Sequence, residues 1–229
     1  MPGAPGWAPL PDLAESRAEP AAVALPDGRA MVIGGEGMAS AEVLAADNSS
    51  WSALAPMGTG RWGPAAAALP CGKVLVAGGY NETRGPYLKT AELWDPATGA
   101  WSDLPPMAEE RFAARCCVLP SGRVAVVGGE DDEQRNRNDA EVFDPEAGTW
   151  DALPPMSHGR YSHGVVAVAG GLLAVGTWDD GERDELFDEA SGRWLELPHP
   201  MAEPRSRTGT VVVPASALAP APAAAAAAR

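Results

Sequence analysis

A tryptophan recurs along the chain at almost constant spacing, and this repeat constrains the fold more than any other feature of the sequence. The repeat tryptophans follow one another at intervals of 44, 50, 49 and 44 residues, at Trp7, Trp51, Trp101, Trp150 and Trp194. An arginine follows each tryptophan by 10 or 11 residues, and a glutamate precedes the next tryptophan by 9 residues. Landmarks that keep their order and spacing indicate a repeat protein built from one small structural unit per period.

Each repeat contains four segments with the character of β-strands. The first follows the arginine and runs into a Leu-Pro-x-Gly turn such as 69–72, where proline presets φ and glycine supplies a positive φ. The second is an unbroken apolar run such as 74–77, which is typical of a strand buried on both faces. The third carries the glutamate, and the fourth begins at the tryptophan. Four antiparallel strands per repeat, with no helical period, predict an all-β fold of the β-propeller type.

The repeat landmarks resemble those of the kelch family. These landmarks are a glycine doublet, a third strand with an acidic, then apolar, then aromatic pattern, and a tryptophan followed by Leu-Pro-Pro-Met, as at 104–107 and 153–156. The resemblance spans roughly residues 7–213 and implies a kelch-type β-propeller. A WD-repeat propeller is the alternative architecture, but its Gly-His signature is missing from every repeat.

The repeat count predicts four complete four-stranded blades and a partial fifth within a propeller domain of residues 1–214. The predicted blade units are 17–60, 61–110, 111–159 and 160–204, with strand fragments at 7–16 and 205–213. The two fragments would be the outermost and innermost strands of one blade, so they cannot pair directly. We therefore expect an open or truncated ring, or a ring that self-association completes. The alanine- and proline-rich segment 215–229 is predicted to be a disordered tail.

Three landmarks that recur in every repeat, namely the glycine or glycine pair, the tryptophan and the glutamate, are assigned structural roles. Glycine would allow close backbone approach, tryptophan would pack between blades, and glutamate would be a buried acceptor. The glycines are Gly34, Gly35, Gly78, Gly79, Gly128, Gly129 and Gly176. The tryptophans within complete blades are Trp51, Trp101, Trp150 and Trp194, and the glutamates are Glu42, Glu92, Glu141 and Glu185.

The repeat arginines leave two interpretations open. The kelch resemblance implies that they ring the mouth of the central channel and bind a partner, as some kelch adaptors bind acidic ligands: Arg17, Arg61, Arg111, Arg160 and Arg205. In the alternative, they form ion pairs with the repeat glutamates or with the turn aspartates Asp47, Asp95, Asp144 and Asp188.

Length variation is concentrated in one loop of each repeat. The step from the first glycine to the glutamate takes values of 8, 14, 13 and 9 residues, whereas the other steps are nearly constant. Insertions in repeat proteins map to loops on one face, which is often the recognition face. The loop residues predicted to contact a partner are Tyr80, Arg84, Tyr87, Asp131, Arg135, Trp178 and Asp179.

Net charge and motif content restrict the class of partner. A formal net charge of −14 opposes nucleic acids and anionic membrane surfaces, so we expect a basic or neutral protein or peptide partner. The three histidines and three cysteines show no metal-binding spacing, and we recognise no nucleophile motif, so we predict no metal, no cofactor and no catalytic residue. Without a recognisable secretory signal, a cytoplasmic location is expected, with the nucleus as the second choice.

These observations predict a non-catalytic protein–protein interaction module. The kelch resemblance further implies a substrate-recognition part of a ubiquitin-ligase complex, whose BTB or F-box segment would come from elsewhere. Two alternatives stay open at this point. One is a galactose-oxidase-like or sugar-modifying propeller enzyme, and the other is a partial, nonfunctional kelch product.

Overall fold

A computed structural model describes residues 9–83, 85–176 and 183–198, and every regular element in these ranges is a β-strand. The first blade consists of β1 (Ala21–Ala24), β2 (Ala30–Ile33), β3 (Ala41–Leu44) and β4 (Trp51–Ala53). The second consists of β5 (Ala65–Ala68), β6 (Val74–Ala77), β9 (Ala91–Asp95) and β10 (Ala100–Leu104), with the ribbon β7 (Tyr80–Asn81) and β8 (Gly85–Tyr87) inserted between β6 and β9. The third consists of β11 (Arg115–Val118), β12 (Val124–Val127), β13 (Ala140–Asp144) and β14 (Thr149–Leu153). The fourth consists of β15 (Gly164–Val168), β16 (Gly171–Val175), β17 (Glu185–Asp188) and β18 (Arg193–Glu196).

Each blade is an antiparallel meander whose strands pair in chain order. The first strands of successive blades are neighbours, so that β1 contacts β5, β5 contacts β11 and β11 contacts β15 around the propeller axis. The prediction of four complete four-stranded blades in a propeller is therefore confirmed. Most of fragment 7–16 lies in irregular chain at 9–16, whereas fragment 205–213 and the predicted tail 215–229 lie outside the described residues.

The hydrophobic core consists of layers between blades, and the second strands of the second and third blades are buried on both faces. In β6, Val74 and Val76 pack against the first blade with Met31 and Ile33. The alternate residue Leu75 packs on the other side, in the cluster that contains Val124 of the third blade. The apolar runs of β6 and β12 therefore each contribute to two interfaces, which explains why they lack the alternation of a half-exposed strand.

The glycine pair of one blade leaves room for the chain that enters the next blade. A Cβ atom built on Gly34 would lie 2.6 Å from the carbonyl oxygen of Arg61, closer than real side chains approach. The same carbonyl accepts a hydrogen bond of 2.9 Å from the amide of Gly35. The φ of Gly34 is +69°, which also disfavours a side chain. The pairs Gly78-Gly79 and Gly128-Gly129 contact Arg111 and Arg160 in the same way.

The repeat tryptophans join neighbouring blades through their indole nitrogens as well as through packing. The Nε1–H of Trp101 donates to the carbonyl oxygen of Ala55 at 2.8 Å, and that of Trp150 donates to Pro105 at 2.8 Å. Trp51 and Trp194 make the equivalent bonds to Pro11 and Pro154. Each acceptor lies in the connection that leads into the blade of its tryptophan, shortly before the repeat arginine. The indole therefore ties the outermost strand of a blade to the connection by which the chain enters that blade.

A buried arginine–glutamate pair holds each connection on the blade that follows it. In the second blade, Arg61 Nη2 lies 3.0 Å from Glu92 Oε1, and Arg61 Nη1 donates to the carbonyl oxygens of Gly78 and Thr90 at 2.8 and 2.9 Å. The second carboxylate oxygen of Glu92 accepts a bond of 2.7 Å from the amide of Gly58 in the connection. Burial lowers the pKa of Arg61, and the hydrogen bond to Glu92 offsets part of that effect.

The same pair recurs in every described blade. Glu42, Glu141 and Glu185 accept from the amides of Ala14, Ala108 and Ser157 and pair with Arg17, Arg111 and Arg160. We refer to these four contacts as the arginine–glutamate pairs.

Burial of these arginines corrects the assignment of Arg17, Arg61, Arg111 and Arg160 to a partner-binding ring. Their side chains are at most 1% exposed, because each guanidinium group is enclosed by its own blade and by the connection. A partner could reach them only if the pairs broke, so the ion-pair alternative with the glutamates describes this arrangement. Arg205 lies outside the described residues.

His163 is a buried polar side chain just before the first strand of the fourth blade. It occupies the position of Pro64 and Ala114 in the preceding repeats and is 0% exposed. Neither ring nitrogen has a hydrogen-bond partner among the described residues. Burial, together with the positive charges of Arg115 and Arg160, lowers the pKa of His163 to about 3. The folded chain therefore holds this imidazole neutral at pH values where an unfolded chain would protonate it.

Removing the charge of one buried glutamate should destabilise the propeller. We expect Glu92→Gln to lower the free energy of unfolding by about 3 to 5 kcal/mol, because it leaves the buried Arg61 guanidinium without a counter-charge. Chemical denaturation measures the effect. Glu133→Gln is the matched control, since Glu133 pairs with Arg135 at the surface and its loss should leave the midpoint unchanged. Equal effects of the two substitutions would contradict the structural role of the arginine–glutamate pair.

The stability of the chain should depend on pH through His163. The folded pKa of about 3 lies below the usual unfolded value. The unfolded state therefore binds the extra proton, and stability is lost as pH falls below about 6.5, by roughly 2 kcal/mol at pH 5. We expect His163→Ala, which introduces the residue found at Ala114, to show a smaller loss of unfolding free energy between pH 7 and pH 5. The same slope in His163→Ala as in the unsubstituted protein would refute the role of His163.

Candidate interaction surface

The variable loops and the inter-blade connections lie at the same end of the propeller. Because successive strands alternate in direction, the connection from the second to the third strand and the connection from the fourth strand to the next blade share one end of each sheet. We call this end the loop face; among the described residues it comprises 34–40, 54–64, 78–83, 85–90, 105–114, 128–139 and 154–163. The tight Leu-Pro-x-Gly and Asp-containing turns lie at the opposite end.

Four aromatic side chains form a cluster on the loop face. Trp62 contacts Tyr80 and Phe112 with ring centroids 5.9 and 5.4 Å apart, and Tyr80 contacts Tyr87 at 5.5 Å. All these contacts are edge-to-face, the geometry that aromatic quadrupoles favour. Each of the four residues is half-buried, and none belongs to the hydrophobic layers between the blades. We refer to Trp62, Tyr80, Tyr87 and Phe112 as the aromatic cluster.

Backbone hydrogen bonds fix the positions of these rings. The amide of Trp62 donates to the carbonyl oxygen of Tyr80 at 3.0 Å, and the amide of Tyr80 donates back to Trp62 at 2.8 Å. The ribbon β7–β8 pairs Tyr80 with Tyr87. Phe112 is held by a similar pair of bonds with Glu130. The cluster therefore joins the long loop of the second blade to the connections on both sides of that blade.

The hydroxyl group of Tyr87 links the cluster to the third blade. It donates to Glu130 Oε1 at 3.0 Å. Burial, and then the hydrogen bond to the Glu130 carboxylate, raises the pKa of Tyr87 to about 12. The phenol therefore stays protonated and keeps this donor role across the physiological pH range.

A pocket of about 180 Å³ opens beside the aromatic cluster, between the loops of the first and second blades. Trp62 and Tyr80 form its aromatic walls, and it is further lined by Glu36, Asn81, Glu82 and Thr83. The Asn81 side chain donates to the carbonyl oxygen of Gly60 at 2.6 Å and accepts from the amide of Thr83 at 3.0 Å, which fixes the turn at the pocket edge. Sequence reasoning identified Tyr80 but missed Glu36, Trp62 and Phe112.

In the third variable loop, Asp131 organises the chain. It is 4% exposed and accepts hydrogen bonds from the amides of Glu133 and Arg135 at 3.1 and 2.9 Å. It also pairs with the Arg135 guanidinium at 2.9 Å, whereas Arg135 itself is 65% exposed. Of these two predicted contact residues, only Arg135 is accessible to a partner in this arrangement, because Asp131 is buried under its own loop. The predicted contact residues Arg84, Trp178 and Asp179 lie outside the described residues.

The described repeat arginines do not line the first-strand end of the blades near the propeller axis, where backbone hydrogen bonds connect neighbouring blades instead. The residue two positions after each repeat arginine has a positive φ, at Glu19, Gly63, Ala113 and Ser162. The amide of Gly63 donates to Glu19, that of Ala113 to Gly63 and that of Ser162 to Ala113, at 3.1, 3.0 and 2.9 Å. These residues and Arg115 line a second pocket of about 150 Å³.

Residues 9–83, 85–176 and 183–198 contain neither a cluster of metal-ligating side chains nor a membrane-spanning helix. No group of three or more histidine, cysteine, aspartate or glutamate side chains is arranged to hold a metal ion. No helix in the same ranges is long and apolar enough to span a membrane.

Comparison with known proteins identifies the repeat. The kelch motif model matches residues 61–108 and 111–157, which correspond to the second and third blades. A search of curated proteins finds no match. Among solved structures, one described as "Structure of YjhT" aligns with a TM-score of 0.73 and 16% sequence identity, covering 86% of this chain and 69% of that chain. At this identity the likeness concerns the fold alone. The motif matches identify kelch motifs in the second and third blades, and the four four-stranded sheets of the described residues show a β-propeller fold.

Proposed function

We propose that this propeller is a non-catalytic protein-interaction module that binds a protein or peptide through its loop face. Its kelch architecture supports an interaction role in general. The observation that carries the proposal is the aromatic cluster, in which rings from two connections and the longest variable loop meet at the surface. Rings that are excluded from the core and locked in place are typical anchors of protein interfaces, because they bury a large area at a small cost in conformational entropy.

The loop face is also organised before any partner binds. Trp62 and Tyr80 exchange two backbone hydrogen bonds, and Tyr87 is held by Glu130. Binding would therefore require little ordering of the chain, and more of the contact energy would appear as affinity. The exposed Arg135 lies on the same face and would extend the contact area toward the third blade.

The proposal includes predictions about the partner's charge, the cellular compartment and the complex in which the module acts. The partner would present a basic or neutral surface, since the chain carries a formal charge of −14. The module would act in the cytoplasm or nucleus, as a recognition part of a ubiquitin-ligase complex whose other subunits are supplied separately. Among the described residues, no specific observation favours the propeller-enzyme alternative over this proposal.

Truncating the central ring of the aromatic cluster should weaken partner binding selectively. We expect Trp62→Ala to raise the dissociation constant by roughly 30-fold or more, the effect of losing an interface hot spot. Trp62→Phe should recover part of the affinity because it restores an aromatic surface. Partners would be captured from an extract of the source cells, identified by mass spectrometry, purified, and their affinities measured by calorimetry.

The matched control for this experiment is Leu195→Ala, which removes a 50% exposed apolar side chain from β18, outside the loop face. It should bind like the unsubstituted protein. Thermal melting of each variant separates loss of binding from loss of folding. Equal affinity of Trp62→Ala and Leu195→Ala for the identified partner would overturn the assignment of the loop face as the binding surface.

A further inference from the structure

The pocket beside the aromatic cluster is preformed, because three chain segments are tied together around it. The amide of Arg61 donates to the carbonyl oxygen of Met38 at 2.9 Å, which anchors the loop of the first blade to the connection. At Gly60 an added Cβ atom would lie 2.6 Å from the carbonyl oxygen of Gly37, so the two segments are in close contact. The Trp62–Tyr80 bonds and the Asn81–Gly60 bond attach the second blade's loop to the same connection.

The pocket combines aromatic walls with negative charge. Trp62 and Tyr80 supply the rings, and Glu36 and Glu82 are the only charged residues among its described lining. Both glutamates are exposed, and neither forms an ion pair with a described residue. Other carboxylates on the loop face are already engaged: Asp131 pairs with Arg135, and Glu130 accepts from Tyr87. Among the described residues, no cation therefore competes with a ligand for Glu36 and Glu82.

This combination favours a cationic group. A guanidinium or ammonium group near an indole or phenol ring is attracted by the negative face of the ring, and a carboxylate adds a charge-assisted hydrogen bond. A volume of about 180 Å³ is below the range of roughly 300 to 1,000 Å³ usual for whole small-molecule ligands, so the pocket suits a single side chain. The formal charge of −14 would also steer a basic segment toward the protein.

We propose that this pocket binds the cationic side chain of an arginine or lysine from the partner's binding segment. The inference rests on the proposed function, because it names the chemistry by which the loop face recognises its partner. The aromatic walls would hold the flat guanidinium group or the aliphatic stem of the side chain. Glu36 and Glu82 would neutralise its charge from the loops of two different blades.

A pair of blocked pentapeptides tests the chemistry directly. Gly-Gly-Arg-Gly-Gly carries the cation, and the same peptide with citrulline in place of arginine is neutral and nearly identical in shape. Binding is followed by the indole NMR signal of Trp62, which is assigned from its absence in Trp62→Phe. We expect the arginine peptide to shift this signal saturably and the citrulline peptide to leave it unchanged. Failure of the arginine peptide to bind, or equal binding of both peptides, would overturn the inference.

Charge-matched variants locate the binding site. Glu36→Gln combined with Glu82→Gln should weaken arginine-peptide binding by about fivefold or more, since charge-assisted contacts in a partly desolvated pocket are lost. Glu146→Gln combined with Asp151→Asn removes two exposed carboxylates of the third blade and changes the net charge equally. This control should bind as well as the unsubstituted protein. Equal weakening in both double variants would indicate attraction to overall charge and would refute the site.

The identified partner then separates this inference from the proposed function. If Trp62→Ala loses the partner while the Glu36/Glu82 double variant binds it at full strength, the interaction surface is correct and the cation pocket is wrong. If neither variant affects the partner, both proposals fail. Loss of affinity in both variants, together with arginine-dependent peptide binding, supports the two proposals jointly.

Discussion

The arginine–glutamate pair is the contact on which the rest of this propeller depends. Each pair connects three parts of the chain that are distant in sequence: the connection between blades, the glycine-containing end of the second strand and the third strand. Hydrophobic layers alone would allow blades to slide, because apolar contacts have no direction. Directed hydrogen bonds to buried charges fix the register between blades. Since Arg61 points inward, the next residue, Trp62, is directed to the loop face, so the proposed interaction surface depends on the same buried contact.

Much of the architecture could be predicted from the sequence because it follows from local patterns. The apolar run 74–77, the Leu-Pro-x-Gly turns and the glycine pairs are set by burial and by backbone geometry, which single residues report. The role of the arginines could not be predicted, because each repeat offers two acidic residues as ion-pair partners, a glutamate in the third strand and an aspartate in the following turn. The structure distinguishes them: Glu92 is enclosed with Arg61, whereas Asp95 pairs with Lys73 at the surface.

The candidate site was predicted only in part, for a different physical reason. Variation in loop length indicates Tyr80 and Tyr87, but Trp62 and Phe112, which complete the cluster, come from connections of nearly constant length. The sequence does contain a signal, because the residue after the repeat arginine is aromatic at Trp62, Phe112 and Tyr161. Glu36 could not be assigned from any local pattern. It lines the pocket only because the first blade's loop is attached to the connection through Met38 and Gly37.

The hydrogen bonds that run from Ser162 to Ala113, from Ala113 to Gly63 and from Gly63 to Glu19 all point the same way around the axis. Each blade therefore offers an acceptor on one side and a donor on the other, as monomers do in a head-to-tail polymer. A blade copied by gene duplication would carry both halves of its own junctions and could enter the series without any change in its neighbours. Propellers of this construction can thus vary in blade number, while the chemistry of each loop diverges independently.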